Sequence, residues 1–320
     1  MTMSPASRLR PALAPEKFQH PDVTARGEVR AKVALSALET LWFNTGTLCN
    51  LTCANCYIES SPRNDRLAYL SRAEVARYLE EIARSSLPTR LIGFTGGEPF
   101  MNPDIISMLE DTLAQGLDAL VLTNAMRPMQ KVREALLGLR GRFGSRLTVR
   151  VSLDHYGPAV HDAERGARTW QQTVDGLMWL AGNGLEVHVA ARLLSGEAED
   201  AVRAGFGRLF AERGIGIEAS DPVRLMLFPE MDAGRDVPEI TEGCWGILGK
   251  SPGSVMCSSS RMVVKRKGAA NPSVVACTLL PYDERFELGA TLSAGSRPVS
   301  LNHPHCATFC VLGGAACSRA

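Results

Sequence analysis

Short apolar runs alternate with amphipathic segments from residue 39 to about residue 230. Residues 147–153 have the pattern of a strand, because Leu and Val alternate there with polar residues. Ser71 begins an amphipathic segment and Glu74 follows three residues later, which is the spacing of a capping box at a helix start. The predicted strands span residues 39–45, 90–95, 119–123, 147–153, 186–194 and about 223–228. The predicted helices span residues 71–84, 104–115, 129–142, 170–181 and 197–213.

This alternation predicts an α/β fold. Repeated strand–helix units build a parallel sheet that curls into a barrel or an open barrel, so we expect a partial (β/α)6 TIM-like barrel. Reactive groups in such barrels lie at the carboxyl ends of the strands. We divide the chain into an N-terminal arm (1–38), the barrel (39–235) and a small cysteine-rich C-terminal extension (236–320). The arm is expected to be weakly ordered up to about residue 31.

Composition and charge exclude several classes of partner. Hydrophobic residues make up 45% of the chain and charged residues 22%, as in ordinary soluble globular proteins. A net charge of +1 gives no sign of a nucleic-acid-binding surface. No apolar run approaches the roughly 20 residues that cross a bilayer, and residues 1–38 lack the pattern of a secretory signal. We therefore expect a cytoplasmic protein with no nucleic-acid or membrane partner.

The cysteines form two groups separated by a long stretch without any. They are Cys49, Cys53, Cys56, Cys244, Cys257, Cys277, Cys306, Cys310 and Cys317. An odd number of cysteines in a chain without a secretory signal favours a reducing compartment and metal ligation over disulfides. Scattered buried thiols would not leave the middle of the chain empty, so we expect two metal sites.

The first group has the spacing C-x3-C-x2-C and follows the first predicted strand. Its three thiolates are one fewer than the four that normally complete an iron–sulfur cluster or a structural zinc site. A cluster with three protein ligands keeps one iron open, and an open coordination position is where a metal site does chemistry.

This spacing resembles the signature of the radical S-adenosylmethionine (SAM) enzymes. The resemblance implies that Cys49, Cys53 and Cys56 ligate a [4Fe–4S] cluster whose open iron binds SAM. It further implies that reductive cleavage of SAM gives methionine and a 5′-deoxyadenosyl radical, which takes a hydrogen atom from the substrate. An electron donor such as a flavodoxin or ferredoxin would be needed.

Motifs at later strand ends extend the resemblance over residues 39–230. Thr95–Pro99 resembles the GGEP element that contacts the SAM amino group, and Ser152 with Asp154 resembles the S-x-D element at its ribose or methionine end. Arg192 matches an arginine that contacts the SAM carboxylate. The SAM-binding residues implied by this resemblance are Gly96, Gly97, Glu98, Asn124, Ser152, Asp154 and Arg192.

Some positions have other interpretations or depart from the family pattern. His161 and Arg165 resemble an HD…RG segment of the peptide- and sulfatase-modifying branch, although helix capping and a surface ion pair with Asp162 explain them equally well. Asn55 stands where relatives place an aromatic residue against the adenine, with Tyr57 on the other side of Cys56.

The C-terminal segment resembles the start of a SPASM or twitch domain, which holds an auxiliary [4Fe–4S] cluster. It has too few large apolar residues to form much core alone, so a metal would supply stability. The candidate ligands are Cys257, Cys277, Cys306, Cys310 and Cys317, with either Cys306 or Cys317 as the fourth. A structural zinc with His303 and His305 is the alternative for this segment.

The leading hypothesis is a radical SAM enzyme that oxidises, cross-links or rearranges a small-molecule or peptide substrate. A small molecule is at least as favoured as a ribosomal peptide. Thr278 follows Cys277 where sulfatase maturases place a carboxylate, which weakens that narrower assignment. The competing class is a non-catalytic interaction protein stapled by zinc.

Overall fold

A computed structural model describes residues 11–194, 196–230 and 232–314. The strands are β1 (Lys32–Val33), β2 (Thr40–Asn44), β3 (Leu91–Thr95), β4 (Asp118–Thr123), β5 (Leu147–Ser152), β6 (Glu186–Arg192), β7 (Leu225–Phe228), β8 (Ser260–Val264), β9 (Ser273–Val275), β10 (Glu287–Gly289) and β11 (Val299–Ser300). The α-helices are α1 (Arg72–Arg84), α2 (Ile105–Ala114), α3 (Arg127–Gln130), α4 (Arg133–Phe143), α5 (Pro158–Arg165), α6 (Thr169–Gly182), α7 (Glu199–Arg213) and α8 (Cys244–Leu248). A π-helix covers Cys306–Leu312. No helix among these residues is long and apolar enough to span a bilayer.

The main sheet confirms the predicted fold class. Its strand order is β10-β9-β8-β2-β3-β4-β5-β6-β7. Strands β2 to β7 follow one another in parallel and are joined mainly by helices. Because β7 and β10 stand at the two ends of this order, the described strands form an open, partial barrel.

The two faces of the sheet carry different cores. Phe43, Phe94 and Val149 belong to the large core between the strands and the helices. Trp42 and Leu120 belong to a smaller cluster on the opposite face. The alternation of side chains along each strand therefore sends every second residue into the barrel interior.

Helix α1 begins as the sequence predicts. The Ser71 side chain accepts from the Glu74 amide while the Glu74 side chain accepts from the Ser71 amide, which completes the capping box. The helix predicted over residues 129–142 is instead α3 followed by α4, because Val132 leaves the helical region with φ −113° and ψ 21°.

The expected weak order of the arm is wrong for residues 11–31. Arg30 is fully buried, donates to the carbonyls of His20 and Val23, and forms an ion pair with Glu239. Strand β1 pairs with β11 near the other end of the chain. This arm is thus held by contacts with residues more than 200 positions later in the chain.

The C-terminal extension is also more closely joined to the barrel than expected. Strand β8 pairs in parallel with β2 and so extends the main sheet. Strands β8 and β9 form a hairpin between Cys257 and Cys277, and Gly268 in its connection has a φ of +80°. The extension therefore shares the sheet of the barrel.

Candidate active site

A cavity lies at the carboxyl ends of the parallel strands, where the fold class predicts the reactive groups. Most of the predicted site residues line it: Cys49, Cys53, Cys56, Gly96, Gly97, Asn124, Ser152, Asp154 and Arg192. Segments far apart in sequence therefore meet at one cavity, as expected for motifs at the ends of parallel strands.

The first cysteine group forms a loop whose thiols face this cavity. Backbone amides donate to two of them, from Leu51 to Cys49 Sγ at 3.4 Å and from Ser60 to Cys56 Sγ at 3.3 Å. Burial raises the pKa of Cys49 to about 12 and also raises the pKa of Cys53. Their binding to a metal centre would therefore be coupled to loss of the thiol protons.

Gly96 and Gly97 are required by the chain that leads into the cysteine loop. A Cβ on Gly97 would lie 2.2 Å from the Leu48 carbonyl oxygen, and one on Gly96 would lie 2.4 Å from that of Gly46. The Gly97 amide donates to the Gly46 carbonyl at 2.8 Å. The two glycines thus let the end of β3 pack against the backbone before Cys49, in addition to lining the cavity.

Glu98 lies behind the cavity wall. Its buried carboxylate accepts from Thr123 Oγ1 at 2.9 Å, from the Asn124 amide at 2.8 Å and from the Phe100 amide at 3.1 Å. Burial raises the pKa of Glu98 to about 7, against the opposing effect of these hydrogen bonds. Glu98 therefore ties the end of β3 to the end of β4 and so positions Asn124.

Asp154 is the centre of a buried ion-pair network. Its carboxylate accepts two hydrogen bonds from Arg165, at 2.8 and 3.0 Å, and one from Arg192 at 2.8 Å. Burial alone would raise the pKa of Asp154, but the two arginines outweigh it and hold the pKa well below its ordinary range. Arg165 therefore pairs with Asp154, and the expected surface ion pair with Asp162 does not describe its contacts.

Glu164 connects this network to the cysteine loop. Its carboxylate accepts from the Asn55 side chain at 2.9 and 3.0 Å and from Arg192 at 3.2 Å. Its backbone carbonyl accepts from the Ala54 amide at 2.7 Å. The end of α5 thus holds the loop between Cys53 and Cys56 against the ends of β5 and β6.

His161 supports the same network from inside the fold. It is fully buried, and its Nδ1 accepts from the Asp154 amide at 3.2 Å. Burial lowers the pKa of His161 to about 4, so the ring is neutral at pH 7. Its role is structural support of the chain at Asp154.

Sequence reasoning missed Arg150 and Glu164. Arg150 lines the cavity from β5 and is 1% exposed. It is a charged residue in an apolar strand, which usually needs a buried partner or a ligand, so the sequence does hold a signal for it. For Glu164 the sequence holds no comparable signal, because its contacts depend on where α5 meets the cysteine loop.

A second, smaller cavity lies within the C-terminal extension. Four of the predicted auxiliary ligands line it: Cys257, Cys277, Cys306 and Cys310. Burial raises the pKa of Cys257 to about 11. The pKa of Cys306 is raised as well, first by burial and then by the nearby Cys277 and Cys257. Cys317 lies outside the described residues.

A structural zinc ion bound with the help of His303 and His305 is the alternative to a cluster in this segment. His303 and His305 lie beside each other with ring centroids 4.7 Å apart, and neither is among the residues that line the cysteine cavity. In the part of the chain that the structure describes, no group of three or more His, Cys, Asp or Glu side chains is arranged to hold a single metal ion. A cluster does not need such a group, because its thiolates bind different irons.

The two cavities share an apolar wall. Phe309 lines the first cavity, while Cys306 and Cys310 of the same π-helix line the second. Phe309 packs on Phe228 with ring centroids 5.4 Å apart. The thiols of the second cavity are therefore separated from the first by this wall.

Known proteins resemble this chain in sequence and in fold. The antilisterial bacteriocin subtilosin biosynthesis protein AlbA of Bacillus subtilis (strain 168) is 32% identical over 143 residues, which are 44% of this chain and 30% of AlbA. Mycofactocin maturase MftC of Mycobacterium ulcerans (strain Agy99) is 29% identical over 136 residues, 42% of this chain and 34% of MftC. The matched stretch therefore spans about a third of the length of these curated relatives.

A solved structure of Streptococcus suis SuiB bound to S-adenosylmethionine has the same fold. The TM-score is 0.58 at 14% identity, over 80% of this chain and 64% of SuiB. At this identity the likeness concerns the fold alone. SuiB has also been solved with its precursor peptide SuiA bound.

The family model described as Radical SAM superfamily matches residues 43–204, which is just over half of the chain. The match includes the cysteine loop, the glycine turn after β3 and the Asp154 network. The chain therefore belongs to the radical SAM superfamily, whose enzymes use a [4Fe–4S] cluster and S-adenosylmethionine.

Proposed function

We propose that Cys49, Cys53 and Cys56 hold the catalytic [4Fe–4S] cluster of an enzyme that modifies a peptide. The observation that supports this most strongly is the convergence of these thiols with Gly96, Gly97 and the Asp154 network on one cavity. The donor set fits the cluster, because it offers three thiols and two backbone amides directed at sulfur. When bound and reduced, the cluster supplies an electron that splits SAM into methionine and a 5′-deoxyadenosyl radical, which abstracts a hydrogen atom.

The remaining residues of the cavity bind and orient SAM in this proposal. The backbone at Gly96 and Gly97 contacts the SAM amino group, and Arg192 binds the SAM carboxylate. The Asp154 carboxylate accepts hydrogen bonds from Arg165 and Arg192, so its role is to orient Arg192. Glu98 acts through Thr123 and Asn124, because its carboxylate lies behind the wall.

The C-terminal extension holds an auxiliary [4Fe–4S] cluster in this proposal, through Cys257, Cys277, Cys306 and Cys310. Four thiols that line one cavity match the usual ligand number of such a cluster. We retain residues 39–235 as the barrel and 236–320 as the auxiliary segment, although β8 connects the two.

The relatives favour a peptide as the substrate. AlbA acts in bacteriocin biosynthesis, MftC is a maturase, and SuiB binds a precursor peptide. The expected reaction is oxidation or cross-linking of an unactivated C–H position, with an external donor such as a flavodoxin or ferredoxin supplying electrons.

Iron and acid-labile sulfide per chain test the cluster assignment in anaerobically purified protein. The wild type is expected to hold about eight irons, and the Cys49/Cys53/Cys56→Ala variant about four. A Cys257/Cys306→Ala variant is expected to hold about four as well. Cys244→Ala is the matched control, because Cys244 contacts Thr241 outside both cavities and its loss should change nothing.

SAM cleavage by dithionite-reduced protein tests the enzyme assignment. Wild type and Cys244→Ala are expected to form 5′-deoxyadenosine, and the Cys49/Cys53/Cys56→Ala variant is not. Zinc without sulfide in reconstituted wild-type protein would instead support the zinc-stapled interaction protein.

A synthetic library of short peptides tests the substrate class. A peptide that loses two hydrogen atoms as 5′-deoxyadenosine forms supports the proposal. Turnover of free amino acids in a parallel library, without turnover of any peptide, would contradict it.

A further inference from the structure

Residues 277–282 of the C-terminal extension run between the two cavities. Cys277 and Leu280 line the second cavity, whereas Leu279 lines the first. Both leucines are buried, and the ring of Pro281 restricts the backbone that follows them. Segment 277–282 therefore connects the thiol site of the extension with the wall of the catalytic cavity.

Tyr282 ends this segment against the cysteine loop of the barrel. Its hydroxyl donates to the Ile58 carbonyl at 2.7 Å, and the Asn64 side chain donates to the Tyr282 hydroxyl at 3.2 Å. The Asn64 side chain also donates to the Ile58 carbonyl at 3.2 Å. The guanidinium of Arg66 lies over the Tyr282 ring, 3.7 Å from its centroid. One side chain of the extension thus contacts several residues of the chain that follows Cys56.

The backbone after Cys56 needs such support. Glu59 has a φ of +51°, in the left-handed region that residues other than glycine adopt at a cost. The Glu59 amide donates to the Cys56 carbonyl at 2.9 Å, and the Ser60 amide donates to Cys56 Sγ at 3.3 Å. The Ser61 carbonyl accepts from the Cys49 amide at 3.1 Å. The conformation of this backbone therefore determines where two of the three thiols lie.

We propose that Tyr282 is a positioning residue that holds the catalytic cysteine loop and couples it to the C-terminal thiol site. This inference rests on the proposed function and adds to it a physical link between the two cluster sites. Ligation of Cys277 fixes one end of segment 277–282, and the buried segment then fixes Tyr282 at the other end. Held in this way, Tyr282 keeps Ile58 in place and with it the amides that contact Cys56.

A hydrogen bond that only attaches the extension to the barrel would have no such effect. Tyr78 makes an attachment of that kind, because its hydroxyl donates to the carbonyls of Pro272 and Ala290, at 3.3 and 3.0 Å. Tyr78 lies on α1, and both acceptors lie in the extension outside segment 277–282. Tyr78→Phe is therefore the matched control for Tyr282→Phe, since each variant loses one hydroxyl between barrel and extension.

Alkylation of Cys56 by iodoacetamide, followed by mass spectrometry of its tryptic peptide, tests the coupling. The background variant is Cys49/Cys53→Ala, which keeps Cys56 but cannot complete the catalytic cluster, so that a cluster forms only at the C-terminal site. Loading of that site is expected to slow the alkylation of Cys56 about fivefold or more, the lower end of ordinary coupling between two sites. Tyr282→Phe is expected to remove this dependence on loading, whereas Tyr78→Phe keeps it.

The affinity for SAM gives an independent readout in the fully loaded enzyme, measured by calorimetry in the oxidised state so that no SAM is consumed. Tyr282→Phe is expected to weaken SAM binding about fivefold, the factor that corresponds to one ordinary hydrogen bond, while its iron content equals that of wild type. Tyr78→Phe is expected to keep the wild-type affinity. Circular dichroism shows whether each variant folds.

Two results would overturn the inference: Cys56 alkylation that loading does not slow while Tyr282 is present, or a folded Tyr282→Phe variant that keeps the wild-type dependence on loading or the wild-type affinity for SAM. The first result needs no Tyr282 variant, so the inference can be refuted even if Tyr282→Phe does not fold. Wild-type protein without iron at the C-terminal site would contradict the proposed function and the coupling together. Absence of 5′-deoxyadenosine from loaded wild-type protein would contradict the proposed function alone.

Discussion

Replacing Asp154 by asparagine is expected to destabilise the protein strongly. The Asp154 side chain is 2% exposed and neutralises Arg165 and Arg192, whose side chains are 15% and 18% exposed. Asparagine keeps the shape but not the charge, and its amide nitrogen is a donor directed at other donors. Arg165 would then remain buried without its anion.

The size of the effect follows from that buried charge. Removing one partner of a buried ion pair costs about 3–5 kcal/mol of unfolding free energy. We expect the lower part of this range, because Glu164 still faces Arg192. Glu164→Gln is the matched control. It leaves both arginines paired with Asp154 and removes a partly exposed contact, so it should cost about 1 kcal/mol.

The pH dependence of this difference has a definite sign. Arg165 and Arg192 hold the pKa of Asp154 below the value near 3.8 of an unfolded chain. A lowered folded pKa contributes stability that is complete above the unfolded pKa and is lost as the pH falls toward the folded one. The difference between wild type and Asp154→Asn should therefore be constant from pH 6 to 8 and shrink below about pH 4.

Urea unfolding of cluster-free, thiol-reduced protein, followed by tryptophan fluorescence, measures both variants without the contribution of a bound cluster. The reasoning would be refuted if Asp154→Asn lowered the free energy of unfolding by less than about 1 kcal/mol at pH 7, or by the same amount as Glu164→Gln. Either result would show that the residues of the network do not depend on one another as a buried unit.

Two further substitutions test the glycine turn at the site and the attachment of the N-terminal arm. Gly97→Ala should lower the iron content by about half, because its Cβ would meet the Leu48 carbonyl and displace the cysteine loop. Gly138→Ala, with open space around its Cβ, should leave iron content unchanged, and equal iron in both variants would contradict this reasoning. Glu239→Gln should lower unfolding free energy by about 3 kcal/mol and expose the arm to trypsin, because Arg30 loses its buried anion. Proteolysis no faster than that of wild type would show that other contacts hold the arm.

Most strands and helices of the barrel, though not α5, could be predicted because their signals are local. The predicted strand over residues 90–95 and the observed Leu91–Thr95 differ by a single residue, and the Ser71 capping box lies within one turn of helix. The arm and β8 could not be predicted in the same way. Arg30 is placed by Glu239 and β8 by β2, and neither contact leaves a periodic pattern in the segment concerned.

The residues of the site also separate into those that could be predicted and those that could not. Most of the predicted residues at strand ends line the cavity, because parallel strands bring their carboxyl ends to one edge of the sheet. The partner of Arg165 depended on how α5 lies against β5, which the spacing of residues does not determine. Arg150 could have been predicted from the sequence, since a charged residue within an apolar strand usually needs a buried partner or a ligand.

Strand β5 links the stability of the fold to the chemistry of the cavity. Val149 and Val151 are fully buried between the sheet and the helices, which sets the register of β5 against its neighbours. Because the side-chain period is two, that register directs Arg150, Ser152 and Asp154 into the cavity, and a slip of one residue would turn all three toward the helices. The apolar core behind β5 therefore determines which charges the cavity presents. A substitution at Val149 or Val151 that shifts the strand would disturb the Asp154 network and the placement of Arg150 together.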